Sequence, residues 1–152
     1  MAAIEIALVE KYNAIVILTD RDGDKKSQRL DNIRRGRDEM GYEYPRSAVG
    51  QAVEAFDAWM VVDGNALQAA GATGKQSHTD PETLDGKNDD RDPKVLAMKY
   101  LGGSDGLGKK YAAIAAALDI ELLDKCCPKG FRPFGKEVKE NIAPKLSPDC
   151  RN

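Results

Sequence analysis

Residues 13–20 read NAIVILTD, and this short run restricts the fold more than any other part of the chain. Ile15, Val16, Ile17 and Leu18 are apolar without a break, three of them β-branched, and the run is bounded by Asn13 and Asp20. It is too short for a buried helix and lacks the alternation of a half-exposed strand, so it reads as a central parallel strand. A parallel partner requires a crossover. The segment KKSQRLDNIRRGRDEMG (25–41) supplies one, with Leu30, Ile33 and Met40 on one helical face, Gly36 weakening the helix and Gly41 placed to end it. The next segment, YPRSAVGQAV (44–53), reads as a second strand. EAFDAWMVVDGNALQAAG (54–71) then reads as mostly helical with a break at Asp63-Gly64. Strand, helix, strand, helix in this order predicts an α/β parallel sheet with right-handed crossovers and flanking helices.

The rest of the chain is different in kind. Ile4, Ala7, Leu8 and Tyr12 give residues 2–12 the stripe of an amphipathic helix. Residues 72–92 are a polar loop in which Leu84 is the only large apolar residue, and a segment of that length inside a compact domain is usually functional or disordered. Helices are expected over 93–103, where Pro93 suits a first helical position, over 107–126 and over 134–142. The 152 residues therefore read as one domain: an α/β core over 1–71, the polar loop over 72–92 and a helical C-terminal half over 93–146.

Composition limits the functional classes. With 41% hydrophobic and 32% charged residues and a formal net charge of −2, the chain reads as globular and not as basic overall. No apolar run reaches the roughly 20 residues of a membrane span. The start, MAAIEIALVEKY, has no basic n-region of a secretory signal. Cys126, Cys127 and Cys150 have the spacing of neither a disulfide framework nor a zinc site, and read as reduced thiols. The expectation is a cytoplasmic protein with no membrane partner.

The strand runs into Asp20, Asp22 and Asp24. Ligands of parallel α/β sheets sit beyond the carboxyl ends of the strands, and alternate residues of an extended segment share a face. Two carboxylates brought together repel unless a cation or proton intervenes. Mg²⁺ or Mn²⁺ suits such a site, because hard divalent ions take oxygen ligands from only one or two carboxylates, and Gly23 would permit the turn. The alternative is that these residues cap the next helix and decorate a turn, neutralised by Lys25 and Lys26. Asp20, Asp22, Asp24 and Asp31 also fit positions 1, 3, 5 and 12 of an EF-hand count, but Lys25 stands where the glycine belongs and a strand precedes the loop. The Asp20-x-Asp22 pair resembles the strand end of haloacid-dehalogenase-type phosphatases, yet KNDDRD (87–92) has no strand before it to provide their second acidic site.

Taken together in order, IVILTDRDGD, AVEAFDAWMVVDGNAL, DPETLDGKNDDRDPKVL and CCPKGFRPF resemble an uncharacterised bacterial family with a Toprim-like domain, over about residues 12–142. The family is often associated with ATPase genes in phage-defence loci. The resemblance implies that Asp20 and Asp22 form a metal-binding pair, with Asp24 beside them, and that Asp57 is a third acid with Glu54 one helical turn away. It implies phosphodiester hydrolysis on DNA or RNA, and an ATPase partner. Toprim domains carry a further glutamate on an N-terminal strand. Only nineteen residues precede Asp20, so that strand and its glutamate are expected to be missing. A missing strand leaves an open sheet edge that favours oligomer formation.

Basic residues support a nucleic-acid surface. Lys25, Lys26, Arg29, Arg34, Arg35 and Arg37 crowd one helix, and Lys125, Lys129, Arg132, Lys136 and Lys139 interleave with Phe131 and Phe134. Lys25, Lys26, Arg29, Lys129 and Arg132 are the phosphate contacts expected. Phe56 and Trp59 read as core, and His78 as an exposed loop residue. Two functions remain open: a metal-dependent nuclease subunit, or a catalytically inactive subunit that binds or inhibits a partner.

Overall fold

The computed structural model describes residues 9–21, 26–40 and 46–146. Strand β1 (Ala14–Asp20) and strand β2 (Arg46–Ala52) run parallel, with Ala14 opposite Arg46 and Asp20 opposite Ala52. Helix α1 (Gln28–Glu39) connects them. Among the described residues this two-stranded ladder is the whole sheet, in an otherwise helical chain. The helix expected over 2–12 falls almost entirely outside the described residues.

β1 is not the buried central strand expected. β1 leaves Val16 and Leu18 exposed by 50% and 39%, whereas β2 is buried from Ser47 to Ala52. The small residues of β2 explain this. A Cβ at Gly50 would lie 2.7 Å from both Leu18 Cδ2 and the Phe134 ring, so only glycine lets helix α7 (Phe131–Glu137) lie this close. Beyond α7 the chain passes through a π-helical turn (Val138–Ile142) into α8 (Ala143–Leu146). Glu137 Oε2 accepts the Val49 N–H at 2.9 Å, and Asn141 Nδ2 donates to the Ser47 carbonyl at 3.3 Å. Two side chains thus supply hydrogen bonds a third strand would have made.

Aspartates punctuate the helical part. The stretch expected over 54–71 is two short helices, α2 (Asp57–Met60) and α3 (Gly64–Ala69). Asp63 Oδ1 caps α3 by accepting from Asn65 N–H (2.8 Å) and Ala66 N–H (3.3 Å). Asp92 caps α4 (Pro93–Tyr100) in the same way. The single helix expected over 107–126 divides into α5 (Leu107–Ala117) and α6 (Ile120–Cys126), because Leu118 is extended and Asp119 caps a new start. Asp63 Oδ2 accepts the Asp119 N–H at 3.0 Å, joining the two caps. In the 72–92 segment Pro81 and Leu84 are buried around a 3₁₀ turn, Pro81–Thr83, and a second 3₁₀ turn spans Asp89–Arg91.

Phe56 and Trp59 are core residues, as read from the sequence. Trp59 is 5% exposed and meets Phe56 and Phe131 edge-on at 5.2 and 5.4 Å and Phe134 in a stack at 6.2 Å. Such pairs contribute roughly 0.5–1.5 kcal/mol each beyond area burial. This cluster fixes the carboxyl end of the sheet against α7.

Candidate functional site

The carboxyl ends of β1 and β2 meet the start of α2. Asp20 is half-buried, and its Oδ1 accepts the Phe56 N–H at 2.9 Å. Its carbonyl accepts from Arg29 Nη1 at 3.0 Å. Arg21 donates its N–H to the Ala52 carbonyl at 3.0 Å and pairs through its guanidinium with Glu54. Glu54 has φ +63°, a left-handed conformation that costs a non-glycine residue on the order of 1 kcal/mol or more and tends to gather at functional sites. Glu54 therefore precedes α2 in a strained turn; it does not lie one helical turn from Asp57. Asp57 opens α2 and accepts the Tyr111 hydroxyl. Burial, then that hydrogen bond and the charge of Asp57, push the Tyr111 phenol well above its ordinary range. Asp22, Asp24 and Lys25 lie outside the described residues.

An open cleft beside this turn is lined by Glu54, Asp57, Asp85, Asp92 and Lys94. Each carboxylate there has a partner in the chain. Glu54 has Arg21, Asp57 has Tyr111, Asp85 has Lys87 and Arg91 at 2.9 Å each, and Asp92 has the first turn of α4. Among the described residues no three His, Cys, Asp or Glu side chains stand close enough to hold a metal ion. Of the three acids expected to hold the metal, Asp20 is the one within the described residues.

The expected basic surface is partly spent on the fold. Arg34 and Arg37 donate to Glu137 at 3.0 and 2.9 Å, and Arg132 to Asp124 at 3.1 Å. Lys26 and Lys129 are exposed, and Arg29 reaches back to Asp20. Glu82, from the DPETLDG run, accepts Lys129 N–H at 3.1 and 3.0 Å and Gly130 N–H at 2.6 Å. This seats the CCPKGF turn against β2. A Cβ at Gly130 would lie 3.0 Å from the Gln51 carbonyl oxygen, so the approach again needs glycine. Cys127 is buried behind the turn, and burial, then the charge of Glu82, pushes its thiol up to about 12, so it stays protonated.

Between α1, the end of β2 and this turn lies a recess of about 120 Å³. Arg21, Arg34, Lys129, Ser27 and Gln51 line it together with apolar residues such as Leu30, Val53 and Phe134, and among the described residues no carboxylate does. Gln51 is 8% exposed, and among the described residues neither its Nε2 nor the buried Nε of Arg21 has a hydrogen-bond partner. A buried donor left this way costs roughly 1–3 kcal/mol. Gln51 and Arg21 have no signature in the sequence, because the recess forms only when the end of β2, α1 and the Lys129-Gly130 turn pack together. Sequence reading also missed Glu82, since a carboxylate that seats a turn 47 residues away has no local signature.

No protein-family model, no characterised protein and no solved structure matches this chain.

Proposed function

We propose that this is a Toprim-like, Mg²⁺- or Mn²⁺-binding phage-defence-associated protein, acting as a nuclease subunit on nucleic-acid phosphodiesters together with a partner ATPase. The observation that carries the proposal is the setting of Asp20: a carboxylate at the functional end of a parallel strand, oriented by the Phe56 N–H and next to the strained Glu54 turn. Asp20, with Asp22 and Asp24, would hold the metal. When bound, such an ion polarises a phosphoryl oxygen and makes water a better nucleophile at neutral pH. Asp57 would assist once the Tyr111 hydroxyl turns away. Lys25, Lys26, Arg29, Lys129 and Arg132 would contact backbone phosphates. Among the described residues β1 has no strand on its outer side, and with Val16 and Leu18 exposed it suits pairing with a second chain.

The second reading is a catalytically inactive subunit that docks on a partner. It is favoured by the engagement of Glu54 with Arg21 and of Asp57 with Tyr111, which leaves both acids serving the fold. The test is cleavage of end-labelled DNA and RNA with Mg²⁺ or Mn²⁺, alone and with candidate partners, by wild type and Asp20→Asn. Metal-dependent cleavage lost in the variant supports the nuclease subunit. Partner binding without cleavage, equal in both proteins, supports the inactive one.

A further inference from the structure

We infer that the recess between α1, the end of β2 and the Lys129-Gly130 turn is a binding site for a phosphate group. Its lining has the chemistry of an oxyanion cradle. Arg21 and Arg34 are each anchored from behind, by Glu54 and Glu137, which fixes both guanidinium groups at the wall. Lys129 makes no ion pair among the described residues. Among the described residues three buried side-chain donors lack partners; one is Trp59 Nε1 in the aromatic core, and the other two, Gln51 Nε2 and Arg21 Nε, belong to residues that line the recess, Gln51 being more than nine-tenths buried. Polar groups buried in native proteins are almost always bonded, so the two at the recess point to an acceptor that occupies the space.

Further features narrow the ligand. The N-terminus of α1 reaches the recess through Ser27 and Leu30, and among the described residues no side chain caps its first turn, so that turn has N–H groups to offer an anion. A recess of about 120 Å³ has room for one tetrahedral oxyanion. Among the described residues the charged side chains at the recess are the cations Arg21, Arg34 and Lys129, set beside apolar Leu30, Val53 and Phe134, which favours an oxyanion such as phosphate over a metal ion. The site stands independently of the strand-end metal, and would hold a phosphate whether or not Asp20 binds a cation.

The test is calorimetric titration of inorganic phosphate into the full chain at fixed ionic strength, with Gln51→Leu, Lys129→Ala and Asp20→Ala/Asp22→Ala in parallel. Lys129 is exposed, so its variant keeps the fold. The expected result is one saturable site, weakened at least tenfold in Lys129→Ala and in Gln51→Leu and unchanged in the aspartate variant. A short single strand with and without a 5′-phosphate is then used as competitor. Displacement by the phosphorylated strand alone identifies a terminal phosphate, by both strands a backbone phosphate, and by neither a small free phosphate. Each of these sustains the site. No saturable binding, or equal binding by wild type and Lys129→Ala, overturns it.

Discussion

Asp20 Oδ1 accepts the Phe56 N–H at 2.9 Å, so the carboxylate that ends β1 also clasps the start of the helical layer. Two substitutions separate its roles. Asp20→Asn keeps an oxygen for Phe56 and loses the charge, while Asp20→Ala loses both. Thermal denaturation is expected to find Asp20→Ala about 1–3 kcal/mol less stable than wild type. Asp20→Asn should lose less than about half of that. Equal stability losses would mean that charge, not the clasp, holds this corner.

Tyr111 and Asp57 form a half-buried pair. Tyr111→Phe leaves the carboxylate without its donor and is expected to cost roughly 1–3 kcal/mol in denaturant unfolding. In the wild type the raised phenol pKa stabilises the protonated, folded form. That contribution is complete below the unfolded value of about 10 and is lost as pH rises past it toward the folded value. An ultraviolet pH titration should therefore find Tyr111 ionising last, after Tyr100, whose phenol burial also raises. Titration of all five tyrosines together would contradict the pairing.

Asp63 joins two helix caps. Burial works to raise its pKa, but hydrogen bonds from the Asp119, Asn65 and Ala66 N–H groups, with the charge of Lys75, hold it below the usual carboxylate range. Its stabilisation is present above the unfolded value of about 3.9 and disappears as pH falls through the folded value. Asp63→Ala is expected to cost about 2–4 kcal/mol at neutral pH. It should also flatten the acid limb of the stability–pH curve. An unchanged acid limb would assign that limb to other carboxylates.

Glu137 receives Arg34, Arg37 and the Val49 N–H at once. Glu137→Ala leaves two partly buried guanidinium groups and a strand edge without their acceptor, and should cost on the order of 3 kcal/mol. Hydrogen exchange at Val49 should quicken in the variant. Retained protection there would mean that packing by Phe134, not Glu137, closes the edge.

Much of the local structure was legible in the sequence. The apolar run before Asp20 gives β1, the small and β-branched residues after Pro45 give β2, and Pro93 begins α4 as its position predicts. The break at Asp63-Gly64 was visible because aspartate before glycine is a natural cap. The similar break at Asp119 was hidden inside an alanine-rich run. What sequence could not give was the order of burial. That β2 and not β1 is enclosed depends on Gly50 meeting Phe134 from 84 residues away, and on Glu137 and Asn141 closing the strand edge. Of the candidate site, Asp20 was legible as a strand-end acid. Its clasp on Phe56, the strained Glu54 and the recess around Gln51 arise only when distant segments pack together.

The central claim is that the acids ending β1 hold a divalent cation. Calorimetric titration of Mg²⁺ and Mn²⁺ into the wild type and an Asp20→Ala/Asp22→Ala variant tests it most directly. The account predicts saturable binding to the wild type that is lost in the variant while helical content is kept. Failure of the wild type to bind either ion, or equal binding by both proteins, would contradict it and leave Asp20 as a clasp alone.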